Sequence, residues 1–180
     1  MILMFLANGF EEVEALTPLD LLRRAGEQVV TVGIGGREIT GNHGITVLAD
    51  TDDAHLPAEA PMMVILPGGM PGASTLDAAP VVDRALADAA ARGAYLTAIC
   101  AAPMILGKRG YLKDKQATCF PGFEEHLNGA TVCRSKGVVR DGKIITAAGM
   151  GVALEFGLAL VAALQGDEVA AKLRATVQAK

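Results

Sequence analysis

At 180 residues the chain is long enough for one domain with a sizeable core and short for two. It is 51% hydrophobic and 20% charged, which excludes a disordered chain, and a net charge of −4 with 16 scattered basic residues excludes a nucleic-acid footprint. Three cysteines, Cys100, Cys119 and Cys133, supply neither a disulfide framework nor a Cys-x-x-Cys metal knuckle, so a reducing cytoplasm is expected and no metal is called for.

Residues 1–7 are apolar but lack the basic start and the length of a signal-peptide core, and they read as a first strand over 2–6. After Asn8-Gly9-Phe10, three glutamates (Glu11, Glu12, Glu14) crowd where a helix N-terminus favours negative charge. Leu16, Leu19, Leu22 and Ala25 keep a helical spacing across Pro18, which predicts one kinked helix over 11–25, capped by Gly26. Glu11 and Glu14 share one face of it while Glu12 points elsewhere. On spacing alone the three acids read as a solvated helix start.

Residues 28–34 contain the β-branched run Val29-Val30-Thr31-Val32, so 2–34 is a strand-helix-strand unit of a parallel sheet, and the α/β class follows. Residues 37–40 and 45–49 form a small hairpin across Gly41-Asn42-His43-Gly44, with His43 on the loop surface, and 50–61 is a solvated loop despite Asp50, Asp52, Asp53 and His55. The apolar strand 62–66 then delivers Pro67-Gly68-Gly69-Met70-Pro71-Gly72. Two adjacent glycines free backbone N–H groups to face an anion, but neither a dinucleotide motif nor a P-loop is present, so no cofactor is indicated.

An alanine-rich amphipathic helix spans 79–92 with Pro80 in its first turn. It leads through Gly93 into the apolar strand 94–99 and then a helix over 101–108, stopped by Gly110. Cys100 thus sits where a strand turns into a helix, the place where unpartnered N–H groups and the helix dipole favour a thiolate. The local sequence leaves open whether it is reactive or a small buried hydrophobe. Further short strands are predicted at 117–119, 131–133, 138–140 and 143–147, with Asp141-Gly142 as a hairpin turn and a polar helical turn at Glu124, Glu125 and His126. Helices over 150–164 and 167–175 close the chain. The apolar segment 152–164 has Glu155 inside it and is well short of the roughly 20 residues that cross a bilayer, so it reads as a core helix and no membrane is involved.

Five stretches together resemble the DJ-1/ThiJ/PfpI superfamily, and within it the DJ-1 and YajL-like branch. They are Asn8-Gly9-Phe10-Glu11-Glu12-Val13-Glu14, Leu22-Arg23-Arg24-Ala25-Gly26, Leu66-Pro67-Gly68-Gly69-Met70-Pro71-Gly72-Ala73, Ala98-Ile99-Cys100-Ala101-Ala102-Pro103 and Glu155-Phe156-Gly157-Leu158-Ala159. The resemblance implies a single flavodoxin-like three-layer sandwich, with a mostly parallel central sheet and a reactive Cys100 on its elbow. It also implies Glu14 touching the sulfur and backbone N–H groups at Gly69 and Ala101 facing the same point. Because an ionised carboxylate would repel a thiolate, Glu14 helps only if it is protonated and donates a hydrogen bond.

The departures narrow the function. Ala101 stands where peptidase-like relatives carry histidine, so no Cys-His peptidase site is assembled. Phe120 precedes Pro121 where DJ-1 itself has a histidine, and His126 reaches the sulfur only if its segment folds back. Ala148-Gly149-Met150-Gly151 replaces a polar residue followed by Gly-Pro-Gly, which predicts a more apolar rim. The resemblance implies a cofactor-free glyoxalase- or deglycase-like enzyme acting on a small carbonyl substrate. The other reading is a redox sensor or chaperone whose Cys100 is oxidised to sulfinate. A homodimer is implied as well, with Leu16, Leu19 and Leu22 as spare apolar surface.

Overall fold

The computed structural model describes residues 1–179. In chain order its elements are β1 (Ile2–Leu6), α1 (Glu12–Arg24), β2 (Val29–Gly33), β3 (Glu38–Thr40), β4 (Thr46–Leu48), β5 (Thr51–Asp52), β6 (Met63–Leu66), α2 (Gly72–Ala78) and α3 (Pro80–Ala91). The second half continues with β7 (Tyr95–Ile99), α4 (Pro103–Lys108), β8 (Gln116–Ala117), β9 (Thr131–Val132), β10 (Val138–Asp141), β11 (Ile144–Ala147), α5 (Ala153–Gln165) and α6 (Asp167–Thr176).

Seven strands form the central sheet in the order β10-β11-β7-β6-β1-β2-β5, and every pair is parallel except the β10/β11 hairpin. β1 and β6 at the centre are wholly apolar because both faces are covered, and the period of two divides each between the layers. Ile2, Met4 and Leu6 of β1 face one core with Leu21, Leu22, Phe156 and Leu160 from α1 and α5. Leu3 and Phe5 face the other with Leu76, Val82, Leu86 and Ile105 from α2, α3 and α4. Each large side chain so buried stabilises the fold by roughly 1.5–3 kcal/mol. The result is the flavodoxin-like sandwich expected from the sequence.

The order places β1 beside β6, with the chain leaving β1 toward one edge and reaching the other edge through β6. Ligands of open α/β sheets bind outside the carboxyl ends of the strands at this kind of reversal. The segments that leave β1, β6 and β7 at those ends carry Glu11 to Glu14, Gly68 and Gly69, and Cys100.

α1 runs unbroken through Pro18 and closes at Gly26, where the N–H of Glu27 reaches the carbonyl of Leu22 and that of Gly26 reaches Arg23. Leu22, expected as spare surface for a partner, is fully buried, and Leu16 and Leu19 are half-buried. Apolar exposure near this end falls instead to Val13, Ile45 and Leu48. α2 was not anticipated, and the loop 50–61 contributes the edge strand β5. Asp50 is no solvated bystander: its Oδ2 accepts from the Thr31 N–H and hydroxyl at 2.8 Å each and from Arg23 at 2.6 Å.

The solvated helix start is also corrected. Glu12 and Glu14 are only 3% and 1% exposed. Glu12 accepts from the N–H of His43 at 2.7 Å, from that of Ile45 at 3.4 Å, and pairs with His43 Nδ1 at 3.0 Å. Its own burial opposes ionisation, yet the His43 and Ile45 bonds outweigh it and hold the carboxyl near a pKa of about 2. This anchors the β3–β4 hairpin to the first turn of α1. Since the folded-state value lies below the ordinary 4.5, the stabilisation is complete above 4.5 and is lost as pH falls toward 2. Glu12→Ala, which strands these donors, should destabilise the protein by on the order of 1–3 kcal/mol in urea unfolding at neutral pH, a deficit that shrinks in acid. A deficit independent of pH would show that the charged anchor contributes nothing.

Candidate functional site

β7 is buried to its last residue, and the chain then turns at Cys100, whose φ of +65° lies in the left-handed region. A non-glycine residue held there stores strain on the order of 1–3 kcal/mol, so the surroundings must impose it. They do so on both sides of the residue. The Cys100 N–H donates to the Ala147 carbonyl at 2.9 Å, and the Cys100 carbonyl accepts from the Phe120 N–H at 2.8 Å. The residue remains partly exposed.

Three groups meet the sulfur. Backbone N–H groups of Gly69 and Ala101 point at Cys100, and the Glu14 side chain shares a hydrogen bond with it. The structure therefore brings together all four residues singled out in the sequence. One element differs: α4 begins only at Pro103 and is six residues long, so the donors belong to the turn before the helix and to the β6 loop rather than to a long helix dipole.

Glu14 is held by two donors that sequence reading missed. The Gly68 N–H reaches its Oε2 at 3.0 Å, and the Met150 N–H bonds the same carboxyl group. Backbone donors carry no sequence signature, which is why only their neighbours were legible. Gly68 has to be a glycine, because a Cβ there would lie 2.5 Å from both the Cys100 Cβ and the Glu14 Oε2. Gly69 sits at φ +86°, and a Cβ there would run into the backbone of Phe10 and Glu11.

The electrostatics of the pair are reciprocal. Burial, helped by repulsion from Glu11, pushes the Glu14 carboxyl up to about 7 against the bonds from Cys100, Gly68 and Met150. Burial, and then the charge and hydrogen bond of an ionised Glu14, push the Cys100 thiol up to about 12 against the Gly69 and Ala101 N–H groups. An ionised Glu14 therefore keeps the sulfur protonated. Moving that one proton from sulfur to carboxyl leaves the net charge unchanged, so the pair can ionise the sulfur without two charges facing each other. The negative charge then sits on the partly exposed Cys100 rather than on the nearly sealed Glu14, where desolvation weighs more.

No histidine figures among the groups acting on the sulfur. The His126 ring instead faces Phe123, 6.4 Å between centroids, and Glu125 at 3.7 Å. His43 is exposed at the hairpin, as expected, but paired with Glu12. Glu11, Glu12 and His43 bring three ligand-type atoms within 4.8 Å of one another, yet their charges and N–H groups already satisfy each other through the hairpin anchor. Cys119 is buried, with its thiol pushed up to about 11 by that burial, and Cys133 contacts Gln116 at 3.5 Å. A hollow of about 500 Å³ lies beside Met62, Tyr95 and Lys143 at the opposite end of the sheet. Among the described residues no helix is long and apolar enough to cross a membrane.

A parallel α/β sandwich with a cysteine forced to positive φ against a buried carboxyl defines a cysteine-elbow protein. The chain belongs to the DJ-1/PfpI family, whose model matches residues 1–163. It is similar to the Drosophila melanogaster protein dj-1beta, 36% identical over 168 residues that cover 92% of this chain and 90% of that one. The crystal structure of Drosophila melanogaster DJ-1beta superposes with a TM-score of 0.94 at 32% identity, covering 99% of this chain and 97% of that chain. A Caenorhabditis elegans relative described as glutathione-independent glyoxalase DJR-1.2 is 29% identical over 158 residues, covering 88% of this chain and 84% of its own.

The tight contact at Gly68 is open to a direct check. Gly68→Ala should force Cys100 and Glu14 apart and destabilise the protein by roughly 1–3 kcal/mol, with an altered rate of Cys100 alkylation. Unchanged stability and alkylation would mean that the pair is not packed this closely.

Proposed function

We propose that the protein is a cofactor-free, stress-protective enzyme that uses Cys100 to convert reactive 2-oxoaldehydes such as methylglyoxal into 2-hydroxy acids. The observation that carries this reading is the convergence of one thiol, one carboxyl with a raised pKa and two backbone donors on a single point. The relative described as a glyoxalase supports it.

The working form has the proton on Glu14 and the negative charge on Cys100. The sulfur attacks the aldehyde carbon, an S–C bond forms, and the carbonyl electron pair moves to oxygen. The N–H groups of Gly69 and Ala101 stabilise that oxyanion, and Glu14 delivers its proton to give a hemithioacetal. Glu14, now ionised, removes the proton from the former aldehyde carbon to give an enediol and returns it at the neighbouring carbon, while the hydroxyl proton of the first carbon passes to the oxygen of the second. The aldehyde carbon is thereby oxidised to a thioester and the ketone reduced to an alcohol, with no external electron carrier. Water cleaves the thioester, releasing lactate and restoring the thiol. A carboxyl near neutrality is suited to both halves of this proton traffic.

A second reading has one observation in its favour. The donors that would hold an oxyanion would equally hold the oxygens of a sulfinate on Cys100, as a redox sensor requires. One pair of measurements separates the two. Purified protein free of added cofactor should form lactate from methylglyoxal, and Cys100→Ser should lose at least a hundredfold in rate. Equal rates for the two proteins would reject the enzyme. Selective addition of two oxygens to Cys100 by mild peroxide, before Cys119 or Cys133 reacts, would then favour the sensor.

A further inference from the structure

Three segments hold the Cys100–Glu14 pair through their backbones, and each carries a large apolar side chain in solvent at or beside the bond it makes. Met70 follows Gly69, whose N–H faces the sulfur, and is 44% exposed. Phe120 donates its N–H to the Cys100 carbonyl and is 48% exposed. Met150 donates its N–H to the Glu14 carboxyl and is 52% exposed. The Phe120 ring leans over Gly149: a methyl placed on Gly149 would lie 3.2 Å from Phe120 Cδ2 and 3.9 Å from Glu14 Oε1. Ring and carboxyl thus both lie within 4 Å of one point beside Gly149.

Exposed side chains of this size are uncommon on the rest of the surface. Only seven large hydrophobics among the described residues stand exposed, and three of them are these. Hydrophobic exposure concentrated around a polar centre marks a binding surface rather than scatter. The charge pattern agrees. The outside charge acting on Glu14 is that of Glu11, whose Oε2 stands 3.5 Å from His43 Nδ1 at the hairpin.

We propose that Met70, Phe120 and Met150 form an apolar mouth that makes Cys100 selective for uncharged electrophiles bearing an aliphatic or aromatic substituent, and that rejects anionic ones such as 2-oxo acids. This rests on Cys100 being a nucleophile. It goes beyond the proposed reaction by assigning the substituent: the substrate is a neutral 2-oxoaldehyde with an apolar tail, for which phenylglyoxal serves as the probe. A small apolar group entering a pocket is worth tenfold or more in discrimination, and an open rim captures the lower end of that range. Exclusion of a like charge near an acidic cluster is of similar size at low salt.

Alkylation reads the mouth without requiring turnover. Cys100 displaces iodide from an iodoacetyl reagent: the S–C bond forms, the C–I bond breaks and iodide leaves, so only access and charge distinguish the reagents. Second-order rates at Cys100 are measured by intact mass with iodoacetamide, N-phenyliodoacetamide and iodoacetate, each divided by its rate with free N-acetylcysteine at the same pH. The phenyl reagent should exceed iodoacetamide by about tenfold, and iodoacetate should fall about tenfold below it. In Phe120→Ser, and separately in Met150→Ser, the phenyl preference should drop toward unity while iodoacetate remains disfavoured, because Glu11 and Glu14 are untouched. Phenylglyoxal should likewise surpass methylglyoxal in kcat/KM, and glyoxylate should not react. A wild-type phenyl ratio near one, or a ratio that survives both substitutions, overturns the apolar mouth. Failure of the enzyme reading looks different: ordered alkylation ratios without any lactate would leave the mouth standing and remove the reaction.

Discussion

A thiol and a carboxyl pressed together away from bulk water can carry one negative charge between them at little expense, and two only at a large one. This single-charge constraint on Cys100 and Glu14 organises the site. Two backbone N–H groups face each partner, Gly69 and Ala101 toward the sulfur, Gly68 and Met150 toward the carboxyl. Each half can therefore bear the charge, and the proton decides which does. In one arrangement the cysteine is inert, and in the other it is a nucleophile with an acid beside it.

The fold supplies this constraint through strand ends rather than through any one motif. β1 delivers Glu14 on the first turn of α1, β6 delivers the two glycines, β7 ends at Cys100, and β11 accepts the Cys100 N–H at Ala147 before the chain returns with Met150. Four parallel neighbours must stay in register for the donors to meet. The left-handed backbone at Cys100 is the local expression of that global fit, held by the hydrogen bonds to Ala147 and from Phe120. The Glu12 anchor contributes from outside by tying the hairpin to the same helix turn that carries Glu14.

Much of this was legible from residues. The runs at Ile2–Leu6 and Met63–Leu66 are apolar because both faces are covered, so their composition declares a parallel sheet. The helical spacing across Pro18 correctly carried α1 through the proline, and Asp141-Gly142 marked the β10/β11 turn. What escaped was nonlocal or unpatterned. α2, Gly-Ala-Ser-Thr-Leu-Asp-Ala, buries only Gly72, Ala73 and Leu76, too few for a periodic signal, and β5 is two residues defined by their pairing with β2. Glu12 looked solvated because its partners stand 31 and 33 residues away. The resemblance to known relatives pointed to Cys100, Glu14, Gly69 and Ala101, whereas the donors at Gly68 and Met150 emerged only from the folded backbone.

The location of the shared proton is measured most directly by the ultraviolet absorbance of the Cys100 thiolate against pH, in the wild type and in Glu14→Gln. The glutamine keeps a hydrogen-bond donor and can carry no charge, so it imitates the protonated carboxyl and nothing else. If Glu14 holds the proton when Cys100 is ionised, the cysteine transition should stay close to its wild-type position. A marked fall in the Cys100 pKa would instead show that Glu14 is charged and repelling the thiolate, and would contradict the assignment of Glu14 as its protonated partner.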